Sequence, residues 1–504
     1  MVKATLRSAV LLGLLAWSVP VFAEVQNVKV SGDITVRAFY RKNLRLSEDV
    51  FNGTGSYGAT CAAATANQVS NVGCGTAPQF GSSGDEFFQQ TTGLNVNADL
   101  TENVSTEVRF LTQKLWTGLA TNALNAAVTD AGSAVVMSRA NVTLKELFYA
   151  PLTLKIGRQA LWFGKGFIVG NRTVNGDLDP GNYLAADEFS EQNGFDAIRT
   201  TLDLSNVGGM PLMVDGVYAK VNERLVSGSN SGGSPADDLN LLGLNVGTKF
   251  SQWNSEAEAY YWNKRDNGNN PLATSRKRSQ ANTIGLRGSL SPVSGSLIWS
   301  ELAYQWGRRI TSAITFDAEG GTADGYKALA ANIGADYTAK GVAWTPTVGG
   351  EWIYFSGARA GGTAIAGWDP VFRGSFKTLL REFQAAGYYM PAQSGATLNG
   401  TYNNITNSTT NQSQLALHAT VKPLEDLSVD NRLTWFTAPV GIRPTVNAKR
   451  KSYIGSEWDV QANYNYTDDV QLGLVYGIFW PGDVFRNPYD DIAQELVSSV
   501  SVKF

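Results

Sequence analysis

The chain has 504 residues and a formal net charge of −3, and only 17% of it is charged, against roughly a quarter in an ordinary soluble protein. Gly (52), Phe (22), Tyr (19) and Trp (13) are plentiful, with one His and two Cys. This composition is neither basic enough to seek nucleic acid nor polar enough to remain disordered.

At the N-terminus, Lys3 and Arg7 precede the apolar run "AVLLGLLAW" (9–17), and "VFA" (21–23) supplies a small-residue cleavage site. Residues 1–23 therefore read as a secretory signal peptide and 24–504 as the mature domain. The run is shorter than the roughly 20 residues a membrane-spanning helix needs, and no long apolar stretch follows it. Export would place Cys61 and Cys74 in an oxidising compartment. They lie thirteen residues apart in a Gly/Ala/Asn-rich stretch, where a loop disulfide is expected. No His or second Cys pair accompanies them and no C-x-x-C-H occurs, so neither a metal nor a cofactor is expected.

Beyond residue 24 a period of two dominates. In "TGLNVNADL" (92–100), Leu94, Val96, Ala98 and Leu100 alternate with Asn95, Asn97 and Asp99. "QLALHATVK" (414–422) and "YIGSEWDVQANYNY" (453–466) alternate in the same way. Eighteen such segments are predicted, centred near residues 35, 93, 109, 141, 157, 200, 217, 245, 260, 285, 301, 332, 350, 418, 432, 459, 475 and 497. The one helical candidate is "FKTLLREFQAA" (376–386). Tight turns such as 101–104, 150–151, 251–254 and 422–426 alternate with long loops such as 42–85, 165–193 and 357–412.

Short turns on one side and long loops on the other are what a barrel threaded through an outer membrane requires. An even strand number returns both ends to the periplasmic side, and hydrocarbon demands a closed barrel because every backbone group must be paired. "LVSSVSVKF", ending in Phe504, resembles the signal read by the outer-membrane barrel assembly machinery. Aromatics recur at strand ends, at Trp162 and Phe163, Tyr260 to Trp262, Trp435 and Phe436, and Phe479 and Trp480, as in the girdles of such barrels. The expected fold class is thus all-β, a transmembrane antiparallel barrel in the bacterial outer membrane, surrounded by lipid.

The alternation also names the lumen. Predicted inward cations are Arg37, Arg109, Arg139, Lys145, Arg199, Arg287 and Arg432; inward acids are Glu107, Glu256, Glu258, Glu301, Glu351, Glu457 and Asp459. Facing lipid at mid-membrane, a charge would cost roughly 2–4 kcal/mol. Mixed signs lead to an expectation of ion pairs across the lumen that shape a constriction, and selectivity follows rings of charge. No catalytic residue is predicted: His418 lies on a polar strand face with no nucleophile motif beside it. "NGDLDPGN" (175–182) lacks the final Glu of a Ca²⁺ loop and reads as a turn; "RKR" (276–278) reads as a solvated loop cluster. "GRQALWFGKGFIVG" (157–170) has the glycines of a phosphate loop, but neither the Walker spacing nor a helical period after it. Gly164 and Gly166 read instead as the point where a strand bends into an outer loop.

Four segments carry a family resemblance: "KIGRQALWFGKGFIVGNR" (155–172), "GFDAIRTTLDL" (194–204), "WDPVFRGSF" (368–376) and "YIGSEWDVQANYNYTDDVQLGLVYGIFWPGDVF" (453–485). With them the chain resembles the alginate-export family of outer-membrane barrels. The resemblance implies an eighteen-stranded monomer with a charged lumen that passes polysaccharide or other polar solutes. It carries pore roles onto Arg158, Arg199, Glu457 and Asp459. Simple alternation from Ile156 points Arg158 at lipid instead. The expected function is a passive outer-membrane channel for polar or charged solutes, with polysaccharide among the candidates. The alternatives are a barrel sealed by its own loops or sheathing a partner and, third, an outer-membrane hydrolase.

Overall fold

A computed structural model describes residues 27–44, 46, 85–116, 135–170, 189, 191, 194–205, 211–222, 239–266, 279–310, 323–357, 365–384, 410–442, 449–485 and 490–504. The signal peptide, Cys61 and Cys74, 175–182 and 276–278 lie outside the described residues. Nineteen strands are described: β1 (Asn27–Lys42), β2 (Asp85–Thr101), β3 (Val104–Leu115), β4 (Val136–Leu144), β5 (Leu152–Gln159), β6 (Phe195–Asp203), β7 (Leu212–Asn222), β8 (Leu239–Phe250), β9 (Ser255–Asp266), β10 (Ser279–Leu290), β11 (Ser296–Ile310), β12 (Ala323–Thr338), β13 (Thr347–Phe355), β14 (Ile365–Ala366), β15 (Gln412–Leu424), β16 (Leu427–Ile442), β17 (Lys451–Asn465), β18 (Val470–Pro481) and β19 (Ala493–Lys503). Among the described residues no helix is long and apolar enough to cross a membrane.

Eighteen of the strands form one antiparallel barrel. Each pairs with its neighbours in chain order, and β1 pairs with both β2 and β19, which closes the wall. Every predicted strand centre falls inside one of them. The nineteenth, β14, is a two-residue strand that pairs in parallel with β12. Closure runs to the last residue: Phe504 donates its N–H to the Gly32 carbonyl at 3.0 Å and accepts the Gly32 N–H at 2.8 Å. Eighteen strands about 4.8 Å apart, tilted by about 40°, enclose a backbone diameter of roughly 35 Å. Two side chains cannot bridge that width, so the wall alone leaves a wide hole.

The two faces separate by parity. Ile34, Leu94, Ile156, Ile198, Leu244, Leu286, Leu302, Leu415, Leu474 and Val500 lie on the outer face, with Leu286 and Leu302 at 65% and 53% exposure although both are central in their strands. Exposed aliphatics on so many strands are stable only against hydrocarbon. The aromatic doublets split across the wall, which corrects their reading as a girdle. Trp162 folds over the loop tip that follows it, its indole N–H donating to the Gly164 carbonyl at 3.1 Å, and Phe163, Tyr260, Trp262, Phe436 and Phe479 are buried inside the barrel. Adjacent residues on a strand must face opposite ways, so half of each doublet was bound to leave the girdle. The outward rings at the short-turn end are Phe148, Tyr149, Trp253, Trp344 and Phe504, all exposed.

The parity argument predicts that Leu302→Arg destabilises the barrel by about 2–4 kcal/mol in reversible unfolding from lipid vesicles. No loss of stability in that measurement would mean that this face is not the lipid face.

Candidate functional site

The hole is occupied by two segments of the long-loop side. The first is the opening of the loop after β5. Trp162 and Gly170 form an antiparallel bridge, and Phe163 donates its N–H to the Val169 carbonyl at 2.9 Å, making a small hairpin. Gly164 and Gly166 sit at its tip with φ of +56° and +72°, values that glycine adopts without strain. This tip turns into the barrel. It lies against Arg287 of β10, and the Lys165 Nζ is 3.6 Å from the centre of the Trp299 ring on β11. Phe163, Phe167, Ile168 and Val169 are buried within the lumen, where Phe163 packs on Trp262 and Phe167 on Phe355.

Residues 365–384 form the second segment, within the loop between β13 and β15. Asp369 fastens one end: it pairs with Lys264 at 3.0 Å, accepts the Tyr326 hydroxyl at 3.3 Å, and donates its N–H to Gln305 at 2.9 Å. Phe372 packs edge-on to Phe195 of β6. The segment then crosses to the opposite wall. There Glu457 of β17 accepts the N–H of Leu380 at 2.5 Å and of Arg381 at 2.8 Å, and Asp459 accepts that of Leu379 at 3.4 Å. A single helical turn, Arg381–Gln384, falls inside the predicted helix at 376–386.

The two segments are joined backbone to backbone. Gly170 N–H reaches the Phe372 carbonyl at 2.8 Å, Phe372 N–H the Ile168 carbonyl at 3.0 Å, and Gly374 N–H the Gly166 carbonyl at 3.0 Å. A Cβ on Gly374 would fall 1.4 Å from the Gly170 carbonyl oxygen, so only glycine permits the approach. Together the segments form a crossbar through the lumen. Apolar wall residues such as Val217, Leu241, Ala328 and Ile353 pack around it.

Several charges hold the crossbar. Glu382, fully buried, accepts from Arg373, from the Lys377 N–H, from the Thr378 N–H at 3.1 Å and from Gln414 at 2.7 Å. Burial works to raise its pKa, but Arg373 and these donors outweigh it and hold the carboxyl below its ordinary 4.5. Burial lowers Arg381 to about 10. Lys165 is lowered from its ordinary value by burial first and by the charge of Lys377 second.

The predicted pore residues divide into groups. Inside the barrel and ion-paired are Arg109 with Asp33 and Glu191, Glu107 with Arg139 and Lys155, Arg199 with Asp215, Arg287 with Glu256 and Glu258, and Arg432 with Glu351. Glu301 accepts the Tyr260 hydroxyl at 2.8 Å, and Arg37 points to Thr91 and the Phe189 ring. These ion pairs correct the expectation of bridges across the lumen. The partners on the wall belong to adjacent strands or to strands one apart, because the diameter exceeds the reach of two side chains. The constriction is built by inserted backbone instead. Glu457 and Asp459 are inward but are taken up by amides of the crossbar.

Two positions leave the predicted site. Lys145 lies beyond the end of β4, exposed in a short turn, with its N–H on the Asn103 carbonyl at 2.8 Å. Arg158 faces outward and forms a two-point pair with Asp196 at 2.9 Å, both contacts on the outer wall. Strand parity holds through Gln159, which is buried inside, so the alternation was right about Arg158 and the role carried over by resemblance was not. Sequence reasoning missed Lys165, Asp369, Arg373, Lys377 and Glu382. The available signal was the apolar content of 161–169 and 368–372, too high for loops spread in water.

An outward Arg158 predicts that Arg158→Glu leaves ion selectivity in planar bilayers unchanged. A shift in reversal potential would put Arg158 in the pore.

The profile of the alginate export family matches residues 85–498. Among solved structures, OccK2 (OpdF) of Pseudomonas aeruginosa in complex with glucuronate is similar with a TM-score of 0.50 at 12% identity, over 95% of this chain and 98% of that one. OccK9 (OpdG) of Pseudomonas aeruginosa gives 0.51 at 12% identity over 95% and 99%. OccAB1 of Acinetobacter baumannii gives 0.51 at 10% identity over 96% and 98%. At such identities the likeness is one of fold. No curated protein matches the chain.

Proposed function

The chain belongs to the alginate export family and is an outer-membrane channel for solutes, and we propose that the solutes it passes are small, polar and acidic. They move passively, down their own gradient. The observation that carries this reading is a pair of ammonium groups on the crossbar. Among the described residues neither Lys165 nor Lys377 has a carboxylate within ion-pair distance, whereas the arginines of the lumen wall beside them, such as Arg199, Arg287 and Arg432, are each matched by an acid. Of the charges that act on Lys165, the positive charge of Lys377 is the strongest, ahead of the opposing Glu351 and Asp336. An arriving carboxylate relieves that repulsion, so the narrowed passage favours anions over cations. A polyuronate offers the same carboxylates in series and would be read by the same two lysines.

Transport rather than catalysis is supported by the surroundings of His418, the only histidine in the chain. Its Nε2 meets Asp336 at 2.7 Å, and no Ser or Cys is bonded to it among the described residues. Catalysis by a nucleophile–base pair would need such a neighbour. The single closed wall fits a monomer, and the strand ending in Phe504 fits insertion by the barrel assembly machinery. The mature chain begins after a signal peptide at 1–23.

Reversal potentials in a KCl gradient test the proposal. The parent channel is expected to prefer anions, and Lys165→Glu with Lys377→Glu should move the reversal potential toward cation preference. Glucuronate should block the parent current and neutral glucose should not. Unchanged selectivity in the double variant would sink the assignment. Block by alginate oligomers at lower concentration than by glucuronate would extend the solute to the polymer.

A further inference from the structure

Glu457 and Asp459 lie two residues apart on the inner face of β17, and among the described residues neither has a cation within ion-pair distance. A lumen carboxylate without a counter-ion is ordinarily a candidate ligand for solute or metal. Here three of the four oxygens are already engaged by backbone, and the fourth, Asp459 Oδ2, is buried. Glu457 uses one for the Leu380 N–H and the other for the Arg381 N–H, and Asp459 uses one for the Leu379 N–H. These three amides sit at the start of a helical turn of four residues, where no intrahelical acceptor reaches them. The amides of 377 and 378 are met from within the segment, by Glu382. The wall therefore supplies what the segment lacks, at successive residues, and buried amides left unpaired are costly.

Packing says the same. Leu379 rests directly on Gly477 of β18, where an added Cβ would come within 3.0 Å of Leu379 Cδ2 and 2.9 Å of Asp459 Oδ1. The bare backbone at Gly477 lets the segment lie flat on the wall beside the two acids. Lys377, one of the two cations that the proposed anion preference rests on, is two residues before Leu379.

We propose that Glu457 and Asp459 are positioning residues of the constriction. They hold residues 377–384 against β17 and β18 and so set the width of the passage and the place of Lys377, without touching solute. The inference rests on the reading of the barrel as a conducting channel only for its electrical readout.

The test compares single-channel recordings with protection from trypsin, in a chain with Cys61 and Cys74 replaced by serine. Glu457→Ala should raise conductance about two-fold or more, add current noise and weaken anion preference, because freeing the segment widens the passage. Trypsin should then cut after Arg381, which is fully buried in the parent. Glu457→Gln keeps the side-chain volume and one acceptor, and should give a smaller change in the same direction. It carries the test if the alanine variant does not fold into a barrel. The decisive variant adds Leu379→Cys and Gly477→Cys to Glu457→Ala. The two Cβ positions are 3.3 Å apart, a few tenths below the usual disulfide separation of about 3.8 Å. Oxidation should restore the parent conductance and the protection of Arg381, and reduction should remove both.

Glu457→Ala and Asp459→Asn channels with parent conductance, selectivity and protection would overturn the proposal. So would an oxidised lock that protects Arg381 but leaves the conductance high. A parent that is protected but conducts nothing would count against the channel reading, and the trypsin comparison would still decide the role of the two acids.

Discussion

Backbone hydrogen bonding in a medium without water is the constraint from which the architecture follows. Within hydrocarbon each N–H and C=O must find a partner in the protein, and a sheet meets that demand only when its edges meet. Here the last strand zips onto the first as far as Phe504 and Gly32. Closure with eighteen strands fixes a circumference, and that circumference is wider than wall side chains can fill. The solute path is then determined by whatever chain is spare on the long-loop side.

The same hydrogen-bonding rule governs the interior. Chain folded into the lumen brings its own amides into a buried setting, so it too must find acceptors. The hairpin at 162–170 pairs with itself and with 372–375. The amides of 377 and 378 go to Glu382, and those of 379–381 borrow carboxylates from β17. Apart from Glu301, which accepts the Tyr260 hydroxyl, the acids that parity places in the pore are thus divided between two tasks. Those on β3, β9 and β13 balance wall arginines, and those on β17 hold backbone. On the proposed reading, what remains for solute is the charge on the crossbar at Lys165 and Lys377.

The apolar content of the lumen has a related origin. Phe163, Phe167, Trp368 and Phe372 would be costly on a loop in water, and inside the barrel they pack on inward alanines and aromatics of the wall. The barrel therefore has two greasy surfaces, one against lipid and one against its own loops. This is why exposed and buried aromatics occur as neighbours in the chain.

The period of two determined most of the fold by itself. It placed eighteen strands, assigned the lipid face, put the short turns at one end and correctly turned Arg158 outward, because strand geometry forces successive side chains to opposite faces whatever the rest of the chain does. It could not decide which loops enter the lumen, since loop residues have no period and their apolar content identifies burial without naming the partner. It could not separate Glu457 from Glu351 either: both are acids on an inner face, and only the tertiary structure brings amides of residues 380 and 381 to one and Arg432 to the other. Contacts between residues some eighty positions apart depend on the closed diameter and on where spare chain comes to rest. Those quantities belong to the assembled barrel and not to any local stretch of sequence.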